Sequence, residues 1–171
     1  MKKINSLLMI IMIAVTTGAM AQVSATASSS ATIVAPIGIT NTADLNFGNV
    51  ATNGTAGTVI LAPNGGLTIS GQGASLPTIG AGENSAAAFE VTGQGVYTYS
   101  IVLPSEVVLT DGESNTMTVD NFVSNSLNIG IGVLILGEQT INVGATLNVG
   151  ANQQAGTYTN STDLTVTVNY N

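Results

Sequence analysis

The sequence predicts an all-β protein, a single immunoglobulin-like β-sandwich, and three observations carry that reading. Beyond the first 21 residues, apolar and polar side chains alternate with period two, the repeat of a half-buried strand, and helical spacing is almost absent. Clusters of turn formers interrupt the alternation at Asn53-Gly54, Pro63-Asn64-Gly65-Gly66, Gly80-Ala81-Gly82, Asp111-Gly112 and Gly150-Ala151-Asn152. Gly and Asn tolerate positive φ there, and Asp bonds its own backbone. The intervening strands are short and about ten residues apart, as in a sandwich. Twenty glycines with no fixed-period repeat argue against a propeller or a solenoid.

The chain begins with a leader. Lys2 and Lys3 precede an apolar run over residues 7–15, and Ala19-Met20-Ala21 supplies small residues for cleavage, so residues 1–21 read as a signal peptide with Gln22 the expected new N-terminus. A nine-residue apolar run spans only about half of a bilayer core, where roughly 20 helical residues are needed. No later segment is longer, so the mature chain is expected to be exported with no membrane span. It would pass through the periplasm to the cell surface or the exterior. There is no Cys to carry a lipid anchor.

Residues 22–31 form an N-terminal extension with an unusual property. One parity frame runs from Val23 through Ala25, Ala27, Ala31 and Ile33 to Ile39, with Ser and Thr dominating the other parity up to Thr32. Those seventeen residues would reach roughly 55 Å fully extended, whereas a typical strand uses about five or six. The sandwich domain is therefore expected over residues 32–171, with a first strand at 32–40 preceded by an arm of strand-like pattern. Such an arm suits addition to the open edge of another subunit. The plain alternative is an unstructured Ala/Ser tail. Open edges are usually guarded by Lys or Pro. Here Lys is absent beyond Lys3 and there are four Pro, so the edges are lightly defended.

Further strands are predicted at 58–62, 66–70, 86–92, 96–103, 107–110, 116–122, 128–136, 140–149 and 161–170. In the segment 97–103, Tyr97, Tyr99, Ile101 and Leu103 share the face expected to point inward. In the last strand Leu164, Val166, Val168 and Tyr170 share one face, against Thr165, Thr167 and Asn169 on the other. The segment 129–136 breaks the alternation. It reads as a strand buried on both faces, or one paired so tightly that its two glycines are needed for close approach.

Composition removes most chemistry. The formal charge is −7, and the only two cations are Lys2 and Lys3, so the mature chain carries nine acids and no Lys, Arg, His, Cys or Trp. Imidazole proton shuttling, thiolate attack, lysine Schiff bases, guanidinium clamps and His/Cys metal sites are excluded. Nucleic acid is excluded as a partner, because no side chain can release phosphate counterions. An enzyme is not expected, and no catalytic residue, cofactor or metal is assigned. A carboxylate pair for glycoside hydrolysis lacks an aromatic sugar platform. Asp111-Gly112-Glu113-Ser114-Asn115 gathers oxygen ligands without the spacing of a calcium loop and reads as a solvated turn, as does Glu83-Asn84. Gly71-Gln72-Gly73, Gly93-Gln94-Gly95 and Gly130-Ile131-Gly132 lack the third glycine and the βαβ setting of a nucleotide site. The sequons at Asn53 and Asn160 read as surface loops.

A family resemblance emerges at these residues. Segments 31–40, 43–48, 95–101 and 143–149 resemble a bacterial exported family, the domain of unknown function 4402. The ending, from Ala155-Gly156-Thr157-Tyr158 through residues 165–170, is similar both to that family and to chaperone–usher pilins, including the spore-coat-U type. The pilin resemblance implies an incomplete sandwich whose final strand, with Leu164, Val166, Val168 and Tyr170, borders a groove. A periplasmic chaperone would fill the groove first. At an outer-membrane usher the arm of the next subunit would replace it, through Val23, Ala25, Ala27, Ala31 and Ile33. The sequence departs from many pilins in having no cysteine pair and an alanine-rich arm. It implies a structural subunit that self-associates into a surface filament or coat. The other class compatible with these residues is a self-contained secreted or cell-surface binding module, such as a glycan-binding adhesin.

Overall fold

A computed structural model describes residues 22–126 and 130–171. The expected leader, residues 1–21, lies outside the described residues, as do Asn128 and Ile129 of the expected strand 128–136. Contacts divide the chain into two units, Met1–Ile33 and Val34–Asn171. In the first, residues 22–33 carry no strand and are exposed. The second is all-β among its described residues, and every strand pair in it is antiparallel.

Strand β1 (Gly38–Ala43) pairs β6 (Ala87–Thr92), and β6 pairs the first half of β11 (Glu138–Val149). The second half of β11 pairs β3 (Gly57–Leu61) on one side and β9 (Thr116–Ser124) on the other. Beyond these lie β4 (Leu67–Ser70) on β3 and β8 (Glu106–Thr110) on β9. A three-stranded sheet of β10 (Ile131–Val133), β7 (Thr98–Val102) and β12 (Thr167–Tyr170) is ordered β10-β7-β12. A two-residue pair, β2 (Ala51–Thr52) with β5 (Ala74–Ser75), completes the set.

β11 changes neighbours at Gly144. Its ladder with β6 ends at Val143 and its ladder with β3 begins at Ala145. A Cβ on Gly144 would run into the backbone of Leu61, Ala62 and Pro63, so only glycine lets the two ladders abut. Two cores result. In one, Phe89 and Val91 of β6 and Ile141 and Val143 of β11 face Tyr99 and Ile101 of β7 and Val166 and Val168. In the other, Val59, Leu61, Val119 and Leu147 pack with Phe47 and Ala74. Leu45, Phe122 and Leu164 touch both. The expected sandwich is thus present, and one long strand of its larger sheet contributes to both cores.

The alternation located the buried faces correctly. Tyr99 and Ile101 are buried, Leu103 is half-buried, and Val166 and Val168 are buried. Tyr97, expected inward, is 40% exposed and meets Tyr170 edge-on at 5.7 Å.

Several strand limits differ from the sequence expectation, each for a local reason. β1 starts at Gly38 rather than 32, because Pro36 has no N–H to give a ladder and the Ala35 amide is already bonded to Gln94 Oε1 at 3.4 Å. β7 starts at Thr98 because Val96 has φ of 63°, outside the extended region. Over its described residues, 130–136, the 129–136 segment is not buried on both faces: Ile131, Ile135 and Leu136 are exposed. Its other reading holds at Gly132, which sits opposite Tyr99 in the ladder, where a Cβ would strike the Tyr99 ring. β12 begins at Thr167 rather than 161, because residues 160–165 are held in a side-chain knot described below. β2 and β5 were not anticipated.

Candidate functional site

The residues expected to border a groove come together at the β12 edge. Each strand end is set by a side-chain bond to backbone. The Tyr170 hydroxyl accepts from the Gln94 amide at 2.7 Å and donates to the Ala35 carbonyl at 2.9 Å. Together with the Ala35–Gln94 bond, this pins the chain just before β1 against the end of β12. Ile37 and Ile39 at β1, and Leu164 and Tyr170 at β12, are half-buried and pack on the same core as Val166 and Val168.

Both strands are edges. β1 ends one sheet and β12 ends the other, each with one unpaired ladder side among the described residues. Which atoms β12 leaves free follows from its pairing. Asn171 N donates to Thr98 O at 3.2 Å, so in alternation Asn169 and Thr167 also turn toward β7. The N–H and C=O of Val168 and Tyr170 therefore point to the open side. Val168 is 8% exposed, and buried backbone polar groups are costly to leave without a partner.

Toward the other end, β7 and β8 run past the last segment in one register. Tyr99 faces Tyr170, Val102 faces Thr167, and Thr110 bridges Thr159. Between these points the ladder is open, and Pro104 has no donor to give it. Asn160 substitutes for the ladder by donating Nδ2 to Val108 O at 2.8 Å and to Asp163 Oδ2 at 2.7 Å. Its Oδ1 accepts from the amides of Thr162 and Asp163, each at 2.9 Å. The Asp163 carboxyl is held below its ordinary pKa by Asn160 first and Thr162 second.

The arm residues stand differently. Val23 is 92% and Ile33 95% exposed, and Ala25, Ala27 and Ala31 are exposed as well. None lies in a strand.

The oxygen-rich turn is internally used. Asp111 Oδ1 accepts from Glu113 N at 2.9 Å, and Oδ2 from Asn115 Nδ2 at 2.6 Å. Its pKa is lowered, chiefly by Asn115. Asn53 closes its own turn by accepting from Thr55 N at 3.1 Å. Among the described residues no group of three or more His, Cys, Asp or Glu is placed to hold a metal ion, and no helix is long and apolar enough to cross a membrane. A shallow depression of about 550 Å³ is lined by hydroxyl and amide side chains, among them Thr58, Ser70, Thr118 and Gln153, and about equally by apolar surface that includes Met117 and Val149.

Sequence reasoning placed Val166 and Val168 on a buried face and missed the pin. The Ala35–Gln94–Tyr170 contacts join residues 59 to 135 positions apart, and no local pattern encodes them. The Asn160 knot had a visible signal in Asn160-Ser161-Thr162-Asp163, a run of residues prone to bond their own backbone.

The fold and the edge define an all-β sandwich domain in which β1 and β12, terminal strands of the two facing sheets, each have one ladder side unpaired among the described residues. The chain belongs to the family described as Domain of unknown function (DUF4402), whose profile matches residues 37–170. No curated protein and no solved structure matches it.

Proposed function

We propose that the chain is a structural subunit of a bacterial surface filament or coat, assembled by donor-strand addition between β-sandwich subunits. The arm, through Val23, Ala25, Ala27, Ala31 and Ile33, is the donor. The acceptor is the β12 edge of another copy, with Leu164, Val166, Val168 and Tyr170 on its inward face. One observation supports this above the rest: β1 and β12 are unpaired edges flanking one core, and Val168 and Tyr170 offer free backbone groups there. Peptide strands add to such edges through main-chain bonds, with alternate side chains giving specificity. In this reading the chain is exported, a periplasmic chaperone covers the edge in transit, and an outer-membrane usher is the place of exchange.

The test is deletion of residues 22–31. Subunits lacking them should remain folded by circular dichroism and stay monomeric in sedimentation at concentrations where the chain from Gln22 polymerises. A chain from Gln22 that is a stable monomer at high concentration, unchanged by the deletion, would refute the proposal.

A second reading has its own support. Val166 and Val168 are already 8% exposed without an added strand, so the core is nearly closed in a single copy. That favours a self-contained secreted or cell-surface binding module, with the shallow depression and its hydroxyl and amide groups as the place for a neutral glycan. Glycan-array binding by the monomer would decide for it.

A further inference from the structure

Three of the most exposed large apolar side chains of the sandwich unit stand together at one end. Val96 is 86%, Ile135 71% and Leu136 96% exposed. The two loops carrying them are stitched together: Gly93 N donates to Gly137 O at 2.9 Å, Val96 N to Leu134 O at 2.8 Å, and Leu134 N to Tyr97 O at 3.0 Å.

Two of the three also sit in an unfavourable backbone conformation. Val96 has φ of 63° and Leu136 of 57°, with Gly137 following at 93°. A β-branched residue at positive φ is a genuine outlier. The two-residue turn between Ile135 and Glu138 has positive φ at both central positions, the type that favours Asn-Gly. Leu136 fills the Asn place, where an amide would be both less strained and better solvated. Solvent exposure and local conformation both disfavour these side chains, so their use lies outside the single copy.

The position of this tip identifies the partner. Gln94, in the same loop as Val96, holds Ala35 at the point where the chain enters the sandwich unit. If residues 23–33 lie along the β12 edge of a second copy, the link left before Ala35 is Val34 alone, roughly 3 Å at ~3.3 Å per residue. That is too short for the second copy to stand clear of the tip. We infer that Val96, Ile135 and Leu136 form the body-to-body contact between consecutive copies of this chain, buried against the copy that receives the arm. The inference rests on the donor-strand reading and adds to it a contact outside the exchanged strand.

The test replaces Val96 and Leu136 with Asn, a residue that accepts positive φ, so the fold is not put at risk. The V96N/L136N chain should unfold at an equal or higher denaturant midpoint than the parent. Its critical concentration for assembly, read by sedimentation and light scattering, should rise by roughly tenfold or more, as expected when two apolar anchors are lost from an interface. A labelled synthetic peptide of residues 22–34 gives the separate readout and should bind parent and variant chains equally. Equal peptide binding with unchanged assembly overturns this inference and leaves the donor-strand reading intact. A parent chain that neither binds the peptide nor assembles overturns both. The single L136N chain repeats the assembly measurement with half the change, and a drop in its folding midpoint with normal assembly also counts against the inference.

Discussion

The fit of Tyr99 over Gly132 makes the most demanding prediction. The ring is fully buried and lies where a Gly132 Cβ would go. It cannot swing aside freely, because its hydroxyl donates to Gln139 Oε1 at 2.8 Å, and that oxygen also accepts from Val133 N at 2.8 Å. Gly132→Ala therefore forces overpacking, at about 1–3 kcal/mol. If the ring yields, the bond to Gln139 is lost as well, and a buried group left unsatisfied costs another ~1–3 kcal/mol. A total of roughly 2–6 kcal/mol is a large share of the 5–15 kcal/mol typical of a domain. Urea unfolding followed by circular dichroism should show a lower midpoint with an unchanged slope. Thermal melting should fall by roughly 5–15 °C. Tyr99→Leu in the same chain should recover part of the loss, giving a coupling of about 1 kcal/mol or more in a double-mutant cycle. A Gly132→Ala chain within ~0.5 kcal/mol of the parent would refute the packing argument.

Three further outcomes are expected. Tyr170→Phe removes the hydroxyl that bonds both Gln94 and Ala35. It should cost about 1–2 kcal/mol and speed amide exchange at Ala35 and Gln94, while leaving exchange in β3 and β9 unchanged. Burial raises the Tyr99 pKa from 10.0 to about 12. The folded state thus favours the neutral phenol, and this stabilisation is whole below pH 10 and lost as pH climbs toward 12. The loss should reach roughly 2–3 kcal/mol, and a Tyr99→Phe chain should show a flatter decline over that range in denaturant titrations at stepped pH. Asp163 has the opposite sign: its lowered pKa means its contribution is present above the unfolded carboxyl value and disappears as pH falls through the folded one. Amide protection factors at Thr162 and Asp163, corrected for the intrinsic rate at each pH, should fall in acid, and Asp163→Asn should remove that pH dependence.

The alternation of side chains was a sound guide wherever a strand packs one face on a core. Tyr99 with Ile101 and Val166 with Val168 were readable because burial follows parity. The method failed where backbone bonding is decided by a distant side chain. Nothing near Ala35 announces that Tyr170 will hold it, and nothing near Val108 announces Asn160. β2 and β5 have two residues each, too few for a period to register. Gly144 did carry a signal, a glycine inside a strand of valines and leucines, and its meaning is a close backbone approach. The inward face of the final strand was legible for the same reason as the core. The tip of Val96 and Leu136 was not, because sequence gives no φ for a valine or a leucine.

β11 has a mechanical consequence. Since one uninterrupted twelve-residue strand is shared by both cores, neither half can melt while the other keeps its full complement of cross-strand bonds. Heating should therefore give one sharp transition rather than two.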